Sequence, residues 1–78
     1  MTVDEALAWI AELFEESADN ISLETQRGDI DAWDSLGTLT LMARLDEDFE
    51  ILLEEDEVQE IRTVSDIIAV LQKHGQVE

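Results

Sequence analysis

Not one proline interrupts this chain, and glycine stands at only three of its 78 positions, Gly28, Gly37 and Gly75. Proline removes a helical hydrogen-bond donor and glycine loses the most backbone freedom on ordering, so a chain almost free of both meets few obstacles to helix. The apolar spacing agrees. Val3, Ala6, Leu7, Ile10, Leu13 and Phe14 recur at intervals of three and four, which places them on one face of a first helix. Thr2 precedes that helix and Glu5 stands three residues further on, the pattern of a capping box. Trp9 lies at the edge of the stripe and is expected to be partly covered. From Ser17 to Asp34 the periodicity fails, and Ile21, Leu23 and Ile30 are irregularly spaced among polar residues. The segment is long for a structureless connection, so those three aliphatics are expected to pin it across the helices.

Asp34 and Ser35 are both competent caps, and a second helix is predicted from Ser35 to Phe49. Leu36, Leu39, Met42, Ala43, Leu45 and Phe49 spread over a broad arc, the expected buried surface, while Gly37, Thr40, Arg44, Glu47 and Asp48 gather opposite. Ile51, Leu52 and Leu53 follow. Glu54, Glu55, Asp56 and Glu57, with Val58 and Ile61, then predict a third helix, favoured by its dipole and opposed by mutual repulsion, and so short and the most mobile. Thr63 and Asp66 form another capping box before the stripe Val64, Ile67, Ile68 and Leu71, and Lys73, His74 and Gly75 mark the end of a fourth helix. The pattern predicts one all-α domain over residues 1–78, a four-helix bundle with a long first connection and a short third helix.

Composition narrows what such a domain can do. A single core of this size supplies roughly 3–5 kcal/mol, too little to frame a deep enclosed active site, so binding or carrying is favoured over catalysis. Cysteine is absent, which removes disulfides, thiolate metal sites and a cysteine nucleophile. Twenty-one acidic residues against four basic ones leave a formal net charge of −17. A surface that negative repels nucleic acid and anionic membranes and steers the chain towards basic partner surfaces. No apolar run is long enough to span a membrane and no basic leader is seen, so the expected compartment is the cytoplasm and the expected state a monomer.

The segment richest in chemistry is Trp33-Asp34-Ser35-Leu36-Gly37-Thr38. A serine opening a helix after a long loop presents its hydroxyl at an exposed corner, where free backbone N–H groups and the helix dipole favour an added phosphate. A plain capping serine is the competing explanation. Asp34-Ser35-Leu36 resembles the attachment motif of acyl carrier proteins. Leu45-Asp46-Glu47-Asp48-Phe49-Glu50 is similar to that family's acidic ending of the second helix, and Leu53 to Val64 resembles its run into the fourth. The resemblance spans essentially the whole chain and implies a bundle of the acyl-carrier type. It also implies a 4'-phosphopantetheine arm on Ser35, added from coenzyme A by a phosphopantetheinyl transferase, with Asp34 placing the transferase's Mg²⁺ or the hydroxyl and Leu36 completing the motif. The arm would carry acyl intermediates as thioesters, and acyl-loading and acyl-transfer enzymes of fatty acid, lipid or specialised pathways would be the clients. The chain itself would catalyse nothing. The resemblance further implies partner recognition along Gly37, Thr40, Arg44, Asp46, Glu47 and Asp48, and an acyl pocket lined by Leu39, Met42, Leu45, Ile61 and Ile68, although for each of these five taken singly plain bundle core is the stronger explanation.

The chain departs from fatty-acid carriers where Gly37 and Thr40 replace acids and Arg44 adds a positive charge. Trp33-Asp34-Ser35-Leu36-Gly37 is similar to carriers of specialised pathways, and the pattern around Gly37-Thr38 resembles D-alanyl carriers, so an aminoacyl or polyketide cargo is the alternative. Gly37 in a first helical turn reads either as room for a close approach by a partner or the arm, or as simple tolerance. Two other classes are weaker: an unmodified acidic interaction module, and a calcium-binding protein. Asp46, Asp48, Glu50 and Glu57 have the offsets of an EF-hand loop, but Ile51 stands where its sharp turn needs glycine, so no metal site is expected. Arg27-Gly28-Asp29 and Asn20-Ile21-Ser22 read as chance matches to an adhesion tripeptide and a glycosylation sequon, and His74 as a helix-dipole partner.

Overall fold

The computed structural model describes residues 1–78 and contains four α-helices and no strand: α1 (Val3–Leu13), α2 (Ser35–Phe49), α3 (Glu55–Glu60) and α4 (Val64–Lys73). Its extents are 26 × 25 × 19 Å. No helix is long and apolar enough to cross a membrane. The caps form where local chemistry places them. Thr2 accepts from the Glu5 amide while Glu5 accepts from the Thr2 amide, and Thr63 and Asp66 repeat the exchange at α4. Each pair satisfies two backbone donors that a helix start leaves without partners.

α4 buries Val64, Ile67, Ile68 and Leu71, the stripe expected from its spacing, while α1 and its C-cap bury Ala6, Ile10, Leu13 and Phe14 as expected, together with Ala11, and leave Val3 and Leu7 half-buried. Trp9 is half-buried, with its ring edge-on to Phe49 at 5.1 Å between centroids. α2 differs. Its buried stripe is Gly37, Leu41 and Leu45, four residues apart, whereas Leu36 is 74% exposed and Leu39 61%. The broad apolar arc is therefore two surfaces: a narrow inner stripe, and an outward line of Leu36, Leu39 and the exposed Ala43 with no partner in the fold.

The long first connection is irregular but tied down. It contains two 3-10 turns, Ala18–Asn20 and Arg27–Asp29. Ile21, Ile30 and Trp33 are buried; Leu23, expected to help pin the segment, is 40% exposed. Backbone bonds take its place. The Val64 and Ser65 amides donate to the Thr25 and Leu23 carbonyls at 2.9 and 3.2 Å, and the Arg27 amide donates to the Arg62 carbonyl at 2.8 Å. The loop thus satisfies the free N–H groups at the start of α4, which accounts for its order without regular structure.

Candidate functional site

Three contacts hold the entry to α2. Trp33 is buried and stacked on Phe14 at 5.2 Å between centroids, which anchors the residue two places before Ser35. Asp34 is the cap: its Oδ1 accepts from the Gly37 amide at 2.9 Å, and its carbonyl accepts from the Thr38 amide and hydroxyl at 2.8 and 2.9 Å. Gly37 completes the joint. A Cβ built there would lie 1.9 Å from the Ala32 carbonyl oxygen and 3.5 Å from Phe14 Cε1, so the loop backbone passes through the space a side chain would fill.

Because Asp34 caps the helix, Ser35 is freed from that duty. It is the first residue of α2, it is exposed, and its hydroxyl takes part in no hydrogen bond within the chain. The other serines are placed differently. Ser65 Oγ is bonded to Thr63 Oγ1 at 2.8 Å and Ser22 Oγ to Thr25 Oγ1 at 3.2 Å, while Ser17 lines no cleft. Beside Ser35 runs an open cleft of about 530 Å³ between α2 and α3, walled by Thr38, Leu39 and Met42 on one side and by Glu55, Val58 and Gln59 on the other, with Arg27 from the loop.

Several expected site residues stand elsewhere. Leu39 and Met42 line this cleft, but Leu45, Ile61 and Ile68 do not; they are closed into the core, with Leu45 fully covered. The five therefore do not form one pocket, because α2 turns Leu39 outward and Leu45 inward. Gly37 is not on a partner-facing surface: it is buried beneath the loop, and its lack of a side chain is a packing requirement. Nor does Arg44 present a free positive charge. Its guanidinium pairs with Asp48 at 3.1 Å and lies 5.9 Å above the Trp9 ring, while the Trp9 indole N–H donates to Asp48 Oδ2 at 2.7 Å. The indole bond, and secondarily Arg44, hold the Asp48 carboxyl below the usual carboxylate range. Trp9 of α1 with Arg44 and Asp48 of α2 thus forms a clasp between the two helices. Thr40, Asp46 and Glu47 remain exposed, although the Thr40 hydroxyl is turned back on the Leu36 carbonyl at 3.0 Å.

Two features escaped the sequence. Leu41 is a core residue hidden among equally apolar neighbours. Arg27, eight residues from Ser35, reaches its cleft only through the folded loop. Nowhere do three or more His, Asp or Glu side chains converge in a metal-binding arrangement. No protein-family model matches the chain, and no curated protein matches it significantly.

Proposed function

We propose that this chain is an acyl carrier protein of the cytoplasm, and that Ser35 is the attachment point of its 4'-phosphopantetheine arm. The observation that carries the proposal is the free Ser35 hydroxyl, exposed at the first position of α2 on a rigidly held joint and next to an open cleft. Such a hydroxyl can enter a transferase site without breaking any bond of the fold. In the loading step Ser35 Oγ bonds to the pantetheine-side phosphorus of coenzyme A, the pyrophosphate P–O bond breaks, and adenosine 3',5'-bisphosphate leaves. The hydroxyl proton passes to the transferase or its solvent. Asp34, with Oδ1 committed to the Gly37 amide, keeps Oδ2 for the transferase's Mg²⁺. Ser35 opens a 15-residue helix whose first turn carries no acidic side chain, so the positive end of that helix would favour the phosphate of the arm. When bound, the arm supplies the thiol that carries the acyl group, which this cysteine-free chain lacks.

The outward line of Leu36, Leu39 and Ala43, bordered by Thr40, Asp46 and Glu47, is the surface for the transferase and for acyl-loading and acyl-transfer enzymes. Exposed leucines of this kind serve as apolar anchors, and the acidic rim steers basic partners. Of the charge departures only Thr40 still supports a specialised client set, beside the likeness of Trp33-Asp34-Ser35-Leu36-Gly37, since Gly37 answers to packing and Arg44 to Asp48. Incubation with coenzyme A, Mg²⁺ and a phosphopantetheinyl transferase is expected to raise the intact mass by one phosphopantetheine, with Ser35→Ala unchanged. An unmodified wild-type chain would leave an acidic interaction module as the surviving description.

A further inference from the structure

The cleft beside Ser35 contains one positive charge, and it is the unusual one. The chain has four basic residues, and the Arg44–Asp48 pair is the only ion pair in the molecule. Arg27 is half-buried and its Nε donates to the Trp33 carbonyl at 3.4 Å, which lays the side chain alongside the backbone entering α2, two residues before Ser35. The terminal nitrogens of its guanidinium have no carboxylate within 4 Å and no hydrogen bond within the chain, although acids outnumber bases 21 to 4. The stem is positioned by its own amide, bonded to the Arg62 carbonyl at 2.8 Å. An arginine held by its Nε, with its outer fork left open in the same cleft as a free serine hydroxyl, is arranged to receive an oxyanion.

We propose that Arg27 holds the phosphodiester oxygens of the group carried on Ser35. This rests on the carrier reading and goes beyond it, because it assigns a phosphate-binding residue outside the attachment motif. A planar guanidinium presents paired N–H donors that match two phosphate oxygens, and such charge-assisted bonds are about twice as strong as neutral ones. The arm adds a negative charge to a chain already at −17, and Arg27 offsets it at the point of attachment. It also fixes the first bonds of the arm, so that the remainder leaves the joint along the cleft between α2 and α3. Lysine, a flexible point charge, would neutralise without aligning.

The test compares the full chain unmodified and loaded, as wild type, Arg27→Gln and Arg27→Lys, with loading verified by intact mass. Each unmodified variant is its own reference, so any loss from breaking the Trp33 carbonyl bond cancels. Loading is expected to raise the wild-type thermal midpoint by about 4 °C, to leave Arg27→Gln unchanged or lower, and to give Arg27→Lys a smaller rise. The ¹⁵N Nε resonance of Arg27 and the ³¹P resonance should move together on loading, and the ³¹P position should differ in Arg27→Gln. Equal midpoint changes in wild type and Arg27→Gln, with an unmoved Nε resonance, would overturn the clamp and leave the carrier reading standing. Failure of wild type to gain the arm at all would overturn both.

Discussion

A methyl group at position 37 would stand 1.9 Å from the Ala32 carbonyl oxygen, and that contact sets two known effects against each other. Helix propensity favours alanine over glycine by about 1 kcal/mol. Overpacking a close contact costs about 1–3 kcal/mol, and here the obstacle is backbone, next to a buried Trp33 that cannot swing aside. The steric effect wins, so Gly37→Ala is expected to lower the urea midpoint; a raised midpoint would mean that the loop yields freely. Asp48 shows the opposite kind of residue, exposed yet committed. Its carboxyl is lowered first by the Trp9 indole and then by Arg44, so the clasp stabilises the fold above the ordinary value of 3.8 and is lost as pH falls through the lowered folded value. The stability difference between wild type and Asp48→Asn should therefore be present at neutral pH and shrink as pH falls below the ordinary carboxylate range. A difference independent of pH would remove the charge from the explanation.

Helix ends in this chain share one device with unequal chemistry. α1, α2 and α4 each close through a residue with positive φ, Glu15 at 54°, Glu50 at 56° and Gly75 at 75°, followed by a bond from the next amide back into the last turn. Only the third uses glycine. A side chain in the left-handed region costs about 1–2 kcal/mol, and a carboxylate at a helix C-terminus also opposes the dipole. Both effects act in one direction, so Glu50→Gly is expected to stabilise the chain by about 1 kcal/mol in urea unfolding; a loss would show that Glu50 has a role beyond the turn. The same elements explain what could be read in advance. α1 and α4 were legible because cap, stripe and terminator agree in each. The bounds of α2 were legible too, but not its buried face: Leu36 and Leu39 are as apolar as Leu41 and Leu45, and no periodicity says which line faces inward. The exposed start of α2 at Ser35 was legible from its two cap-competent residues. The placing of Arg27 in the neighbouring cleft was not legible, because only the folded loop carries it there.

For the molecule as a whole, charge is the standing opposition to a small core. With one ion pair among 21 acids, screening has almost no attraction to weaken and much repulsion to relieve. Raising NaCl from low to physiological concentration should therefore raise the thermal midpoint, and a fall would mean that attractive pairs dominate after all. On the proposed reading, a basic partner meets that field where α2 turns outward, beside the Ser35 hydroxyl, which takes part in no hydrogen bond within the chain. The decisive measurement is peptide-level mass spectrometry after incubation with coenzyme A and a phosphopantetheinyl transferase. The account predicts one arm per chain, on the peptide containing Ser35, with Ser17, Ser22 and Ser65 bare. An unmodified Ser35, or an arm on any other serine, would contradict it.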